Sequence, residues 1–188
     1  MTTIPGDEEI IAATKAWLEK DVIGLNLCPF AKEVHTAGKI RYVVSAAATA
    51  PALLSDLAAE LIALHEADRA QTETTLLIHP HVMTDFFDFN DFLGDADAAL
   101  ERLGLAGIIQ VASFHPQYQF ADTTPDDPAN RTNRSPYPTL HLLCEASVER
   151  ALESYPDADD IPARNIETMR RLAGQPPPPA SSPPGDAP

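Results

Sequence analysis

Thr74–Ile78 (TTLLI) is a short, nearly continuous apolar run, the pattern of a central strand. Other strand-like stretches surround it in the chain: Ile40–Ala46 (IRYVVSA), Gly107–Phe114 (GIIQVASF) and Thr139–Glu145 (TLHLLCE). The segments between the first three have helical spacing. Pro51 opens a helix whose buried face is Leu53, Leu54, Leu57, Leu61 and Leu64. Met83–Leu93, with Phe86, Phe87, Phe89 and Phe92, is ambiguous at its start, and Asp95–Leu103 is helical with Gly104 as its stop. Upstream, Asp7 is the expected N-cap of a helix with Ile10, Ile11, Thr14, Trp17, Leu18 and Val22 on one stripe. Gly24 and the Cys28-Pro29 step end it, because the residue before proline disfavours the α region. Helices at Ser147–Tyr155 and Pro162–Ala173 follow the last strand.

The order α-β-α-β-α-β-β-α-α predicts an α/β fold, with α+β as the alternative. The expected architecture is a single two-layer sandwich of about four strands with helices, ferredoxin-like arrangements among those it allows. The last two strands form an antiparallel pair joined by the long loop Asp122–Pro138. Residues 1–174 make one domain. From Gln175 the chain reads PPPPASSPPGDAP, which lacks core-forming residues, so 175–188 is expected to be a disordered proline-rich tail.

Composition limits the partners. Acidic residues outnumber basic ones 28 to 13, for a net charge of −15, which repels phosphate backbones and anionic membranes. Neither nucleic acid nor membrane is an expected partner, and no apolar run reaches the length of a membrane span. Residues 1–6 lack the basic and apolar regions of a signal peptide. The two cysteines form no disulfide or zinc spacing, so a reducing, cytoplasmic setting is expected. Nothing in the residues sets an oligomeric state.

Histidines cluster at strand ends. His79 and His81 follow the second strand, His115 follows the third, and His141 lies near the start of the fourth, whereas His65 reads as a surface residue. If strands three and four pair, His115 and His141 come near each other across the open end of the hairpin. They are then candidate metal ligands or a general acid/base pair. His79 and Glu145 are weaker ligand candidates. In an extended strand Glu145 lies roughly 13 Å from His141 at about 3.3 Å per residue, which suits a helix-start role better. Against all of these stands the plainer reading of polar residues leaving a sheet.

Cys28 sits in NLCPFAK, where a short helix starting at Pro29 points its N-terminus at the thiol and Lys32 follows four positions on. Both features favour thiolate. Nucleophile, metal or haem ligand, redox sensor and buried small hydrophobe are all open for it. Cys144 alternates out of phase with His141, on the apolar face. In the long loop Arg134 is a candidate clamp for a carboxylate or phosphate, flanked by Asn133 and Tyr137. Gln117 and Tyr118 open the same loop and suit a pocket wall.

The segments NLCPFAK, TTLLIHP, ASFHPQYQFA and TNRSPYPTLHLL together resemble the signature segments of a bacterial family, the domain of unknown function numbered fourteen-fifteen. The likeness runs from about Trp17 to about Leu172. It implies no activity, and it implies that Cys28, His115, Arg134 and His141 belong to the family's pattern. At Cys144 the family pattern implies arginine, which argues against a catalytic Cys144, and His81 lies outside the motif.

The expected function is that of a small-molecule enzyme performing metal-assisted or redox chemistry on a small anionic substrate. His115 and His141 serve as ligands or acid/base, Arg134 holds the anion and Cys28 is a thiolate. The cofactor expectation is a transition metal (iron, copper or zinc), with haem behind it. Two alternatives stand beside it: a non-catalytic metabolite-, haem- or metal-binding protein, and a cysteine-nucleophile enzyme without metal.

Overall fold

A computed structural model describes residues 5–174 apart from Ser154 and Pro156, so the tail expected at 175–188 lies outside the described residues. The first helix, α1 (Asp7–Trp17), is capped at Gly6, to whose N–H the Glu9 carboxylate reaches back at 3.2 Å. It runs on as a π-helical turn, Leu18–Ile23, up to Gly24. A Cβ at Gly24 would collide with the Lys20 carbonyl oxygen, so this wide turn needs glycine at its end. Asn26 then takes a left-handed φ of 53°, a conformation asparagine tolerates better than most residues.

Cys28 is the N-cap and Pro29 the first residue of α2 (Pro29–Thr36). Next come β1 (Ile40–Val44) and α3 (Ala50–Glu66), where Thr49 accepts from the Ala52 N–H. β2 (Thr74–Ile78) is buried at every position, as its unbroken apolar character requires. The ambiguous stretch after it is helical: α4 (Phe86–Arg102) begins where Asp85 accepts from the N–H groups of Phe87 (2.8 Å) and Asp88 (3.2 Å). β3 (Ile109–Phe114), a 3₁₀ turn (Pro128–Asn133), β4 (Thr139–Cys144), α5 (Glu145–Glu153) and α6 (Ile161–Leu172) complete the chain.

The strands form one mixed sheet in the order β1-β2-β4-β3. β1 and β2 are parallel, and β4 lies antiparallel between β2 and β3. The last two strands pair as expected, but β4 occupies the place beside β2 that a simple run of crossovers would give to β3.

The register decides which residues share a face. On one face Val43, Leu77, Leu140, Leu142 and Ile109 pack against α3 and α4, the α/β sandwich that the alternating pattern predicts. The opposite face carries Leu76, His141, Leu143 and Phe114, and is covered by α1, the π-turn, α2 and α5, with Met169 of α6 joining them. No helix among the described residues is long and apolar enough to cross a membrane.

Candidate functional site

The residues predicted from sequence to converge are divided between the two faces. β4 pairs with β3 so that His141 lies opposite Ala112 and Thr139 opposite Phe114. His115, one residue beyond Phe114, therefore points to the other side of the sheet, since side chains alternate along a strand. His115 and His141 cannot bind one ion or pass one proton between them. The expected two-histidine metal site is corrected on that ground.

On the N-terminal face, His141 and Cys28 open onto a single narrow cavity of ≈ 40 Å³, together with Thr74. Its remaining walls are apolar, among them Trp17, Leu18 and Val22 of the π-turn region and Phe114. Trp17 and Phe114 meet edge to face across its wall, with ring centroids 5.2 Å apart.

The hydrogen bonds fix the imidazole's protonation. The Thr74 hydroxyl gives its one proton to the Leu142 carbonyl at 2.6 Å, so its oxygen must accept from His141 Nε2–H, also at 2.6 Å. Nδ1 then carries the bare lone pair, and among the described residues it has no partner. Burial pushes the His141 pKa down to about 4, so the ring is neutral near pH 7.

Burial likewise pushes the Cys28 thiol above its ordinary value, outweighing the N–H groups of Ala31 and Phe30 at the start of α2. Lys32 is exposed and borders a separate hollow on the outside of α2. The expected resting thiolate is thus corrected to a thiol, because desolvation exceeds the helix N-terminus and the lysine lies too far out to help. Asn165 of α6 donates to the Leu27 carbonyl at 2.8 Å and so holds the segment that carries Cys28.

On the other face, His79 and His115 are both fully buried, and each packs against the Phe89 ring, at centroid distances of 5.4 and 5.3 Å. His115 Nδ1 accepts from the Gln117 N–H (3.0 Å), and its Nε2–H donates to the Met83 carbonyl (3.1 Å). With both nitrogens occupied, the ring secures the turn at Met83, whose φ is 56°, and is not placed as a ligand or base. His79 donates from Nδ1 to the Val82 carbonyl at 3.0 Å, leaving Nε2 without a partner. No group of three or more histidine, cysteine, aspartate or glutamate side chains arranged to hold a metal is present among the described residues. Glu145 opens α5, its N–H donating to the Ile108 carbonyl at 3.0 Å, which is the helix-start role rather than the ligand role.

Two of the expected substrate-binding residues do meet. Arg134 and Gln117 line an open cleft of ≈ 360 Å³ at the start of α4, with Asp85, Phe86 and Phe87. The other three do not line it. Asn133 donates to the Ser113 carbonyl, and the Tyr137 carbonyl accepts from the Ser135 and Thr139 hydroxyls. Tyr118 packs its ring between Phe86 and Phe120. Cys144 is buried on the α3–α4 face, as its alternation with His141 indicates. His81 and His65 are exposed.

Sequence reasoning missed Thr74, Trp17 and Phe87. Thr74 was legible only as a strand residue, and its role needs the β2–β4 register; Trp17 and Phe87 follow helical periodicity like core residues.

Residues 9–176 match the family model described as Protein of unknown function (DUF1415). No curated protein and no solved structure matches the chain.

Proposed function

We propose that this chain, which belongs to the DUF1415 family, is a small-molecule enzyme in which Cys28 is the nucleophile and His141 its proton acceptor. The reaction takes place at this apolar cavity without a metal shared between histidines. The observation that supports this reading is that Cys28 and His141, over a hundred positions apart, border one apolar void. His141 meets it with a neutral ring whose tautomer Thr74 has set. A π-helical turn in the wall fits the reading, since such turns are common at functional sites.

Neutral groups in an apolar cavity favour an uncharged substrate small enough to place its electrophilic atom there. The step is addition of S–H across a polarised double bond. The sulfur lone pair forms the S–C bond, and the π pair moves to the far atom. The thiol proton is taken by His141 Nδ1 and then delivered to that atom. A high-pKa thiol is scarce as thiolate but strongly nucleophilic once ionised, so proton removal is concerted with attack rather than completed in the resting state.

Alkylation followed by intact-protein mass tests this. Uncharged N-ethylmaleimide is expected to modify Cys28 faster than anionic iodoacetate, at a rate already level around neutrality, where the thiol is protonated and the His141 ring neutral. His141→Phe should slow the maleimide reaction on the order of a hundredfold, the size of a lost general base. A Cys28 inert to maleimide, or a rate untouched by His141→Phe, would leave the cavity as a binding site only and end the enzymatic reading.

A further inference from the structure

The cleft at the start of α4 belongs to neither the Cys28 cavity nor its chemistry. We infer that it is a second ligand site, built for an aromatic monocarboxylate. Three features of its walls carry this inference.

The first is Arg134. Its Nε donates to the Tyr118 carbonyl at 3.1 Å and its Nη2 to the Pro125 carbonyl at 2.8 Å, so the guanidinium plane is fixed before any ligand arrives. Among the described residues no carboxylate pairs with it, although the chain has 28 acidic residues for 13 basic ones. The remaining N–H groups of a fixed, unpaired guanidinium suit the planar fork of a carboxylate.

The second is Phe87, which is 66% exposed beside Phe86 at the first turn of α4. Large exposed rings cost solvation, and this one lines the same cleft as Arg134, where a flat ring can stack on it. The volume of ≈ 360 Å³ lies in the range of small-molecule sites.

The third is Asp85, which also borders the cleft. Its Oδ1 is committed to the N–H groups of Phe87 and Asp88, and its charge opposes a second negative charge on the ligand. The site therefore selects one carboxylate on an otherwise neutral ring over a phosphate dianion. Gln117, exposed on the cleft wall, offers its side-chain amide to the carboxylate or to a ring substituent.

Amide NMR of the full chain titrated with benzoate, cyclohexanecarboxylate and inorganic phosphate tests the inference. Benzoate should shift Phe87, Gln117 and Arg134 saturably, with cyclohexanecarboxylate several-fold weaker and phosphate weaker still. Phe87→Ala, at an exposed position, should keep the remaining spectrum and weaken benzoate at least tenfold. Arg134→Lys keeps the charge, loses the fork and should weaken it similarly. Three results would overturn the assignment: no saturable shift, benzoate binding that survives Phe87→Ala, or shifts confined to the residues around Cys28. The result stands apart from the thiol reading, because Cys28 alkylation should proceed at the same rate with benzoate bound.

Discussion

The cavity under the N-terminal helices and the cleft at the start of α4 lie against opposite sides of one sheet, and they treat charge in opposite ways. In the cavity every titratable group is driven neutral: Cys28 stays protonated and His141 unprotonated, each by desolvation. In the cleft the Arg134 guanidinium and the Asp85 side chain line a hollow open to water. A narrow apolar hollow favours proton transfers that avoid lasting charge separation. An open one can recognise an ion directly. The two histidine groups follow the same division, since His141 bonds through Nε2 alone while His115 spends both nitrogens holding the loop that forms the cleft.

The largest effect expected is that of acid, and it reaches both sides at once. Burial holds His79 and His141 at about 4, against an ordinary 6.5. Between those values the unfolded chain binds more protons than the folded one, so stability falls as pH drops through the window. The loss accumulates to about 3 kcal/mol per histidine by its lower end. Denaturant unfolding at pH 7, 5.5 and 4.5 should show this, with the slope clearly reduced in His141→Phe and similarly in His79→Phe, the remainder coming from the other buried histidines, His115 among them. A slope that neither variant changes would mean that burial does not set these protonation states, and the contrast between a neutral cavity and a charged cleft would lose its physical cause.

Next in size is a change that should damage one side and spare the other. Asn130 is fully buried in the long loop, where its Oδ1 accepts from the Phe120 N–H and the Thr123 hydroxyl. Its Nδ2 donates to the Thr124 carbonyl at 2.8 Å. Asn130→Ala leaves the Phe120 N–H and the Thr124 carbonyl without a partner, whereas the Thr123 hydroxyl still reaches the Phe120 carbonyl at 2.8 Å, at a cost of about 2 kcal/mol. Pro125 and Gln119, which line the cleft, belong to the segment so released. Benzoate binding should be lost while Cys28 alkylation by maleimide keeps its rate. If both fall together, the two hollows are mechanically one unit.

Much of this arrangement was legible in the residues. Thr74–Ile78 reads as a buried strand because nothing in it alternates, and the leucines of α3 mark its inner face by helical spacing. The pairing of β3 with β4 and the short helix at Pro29 also followed from the chain. The face on which each histidine lands did not. It depends on how the residues between Phe114 and Thr139 set the register, and one residue of slip moves an imidazole through the sheet. The start of α4 was hidden because four phenylalanines suit either period, and Asp85 decides it by capping. The state of Cys28 was misread for a related reason: a helix N-terminus and a lysine are visible in sequence, whereas the depth of the thiol beneath α1 and the π-turn arises only on folding.

That misreading supplies the smallest effect and the sharpest control. Lys32 is four residues from Cys28, a spacing that on a continuous helix would bring its ammonium back toward the thiol. Cys28 is the N-cap, however, with extended φ and ψ of −135° and 113°, so its side chain leaves the helix path toward the sheet. Lys32 stays on the outer surface of α2 with Pro29 and Glu33. Lys32→Ala should therefore change stability by less than about 0.5 kcal/mol, as for other exposed substitutions. It should also leave the pH profile of Cys28 alkylation where it was. A profile that moves to higher pH in Lys32→Ala would show the ammonium acting on the thiol, and the cavity would then belong with the cleft among sites that work by charge.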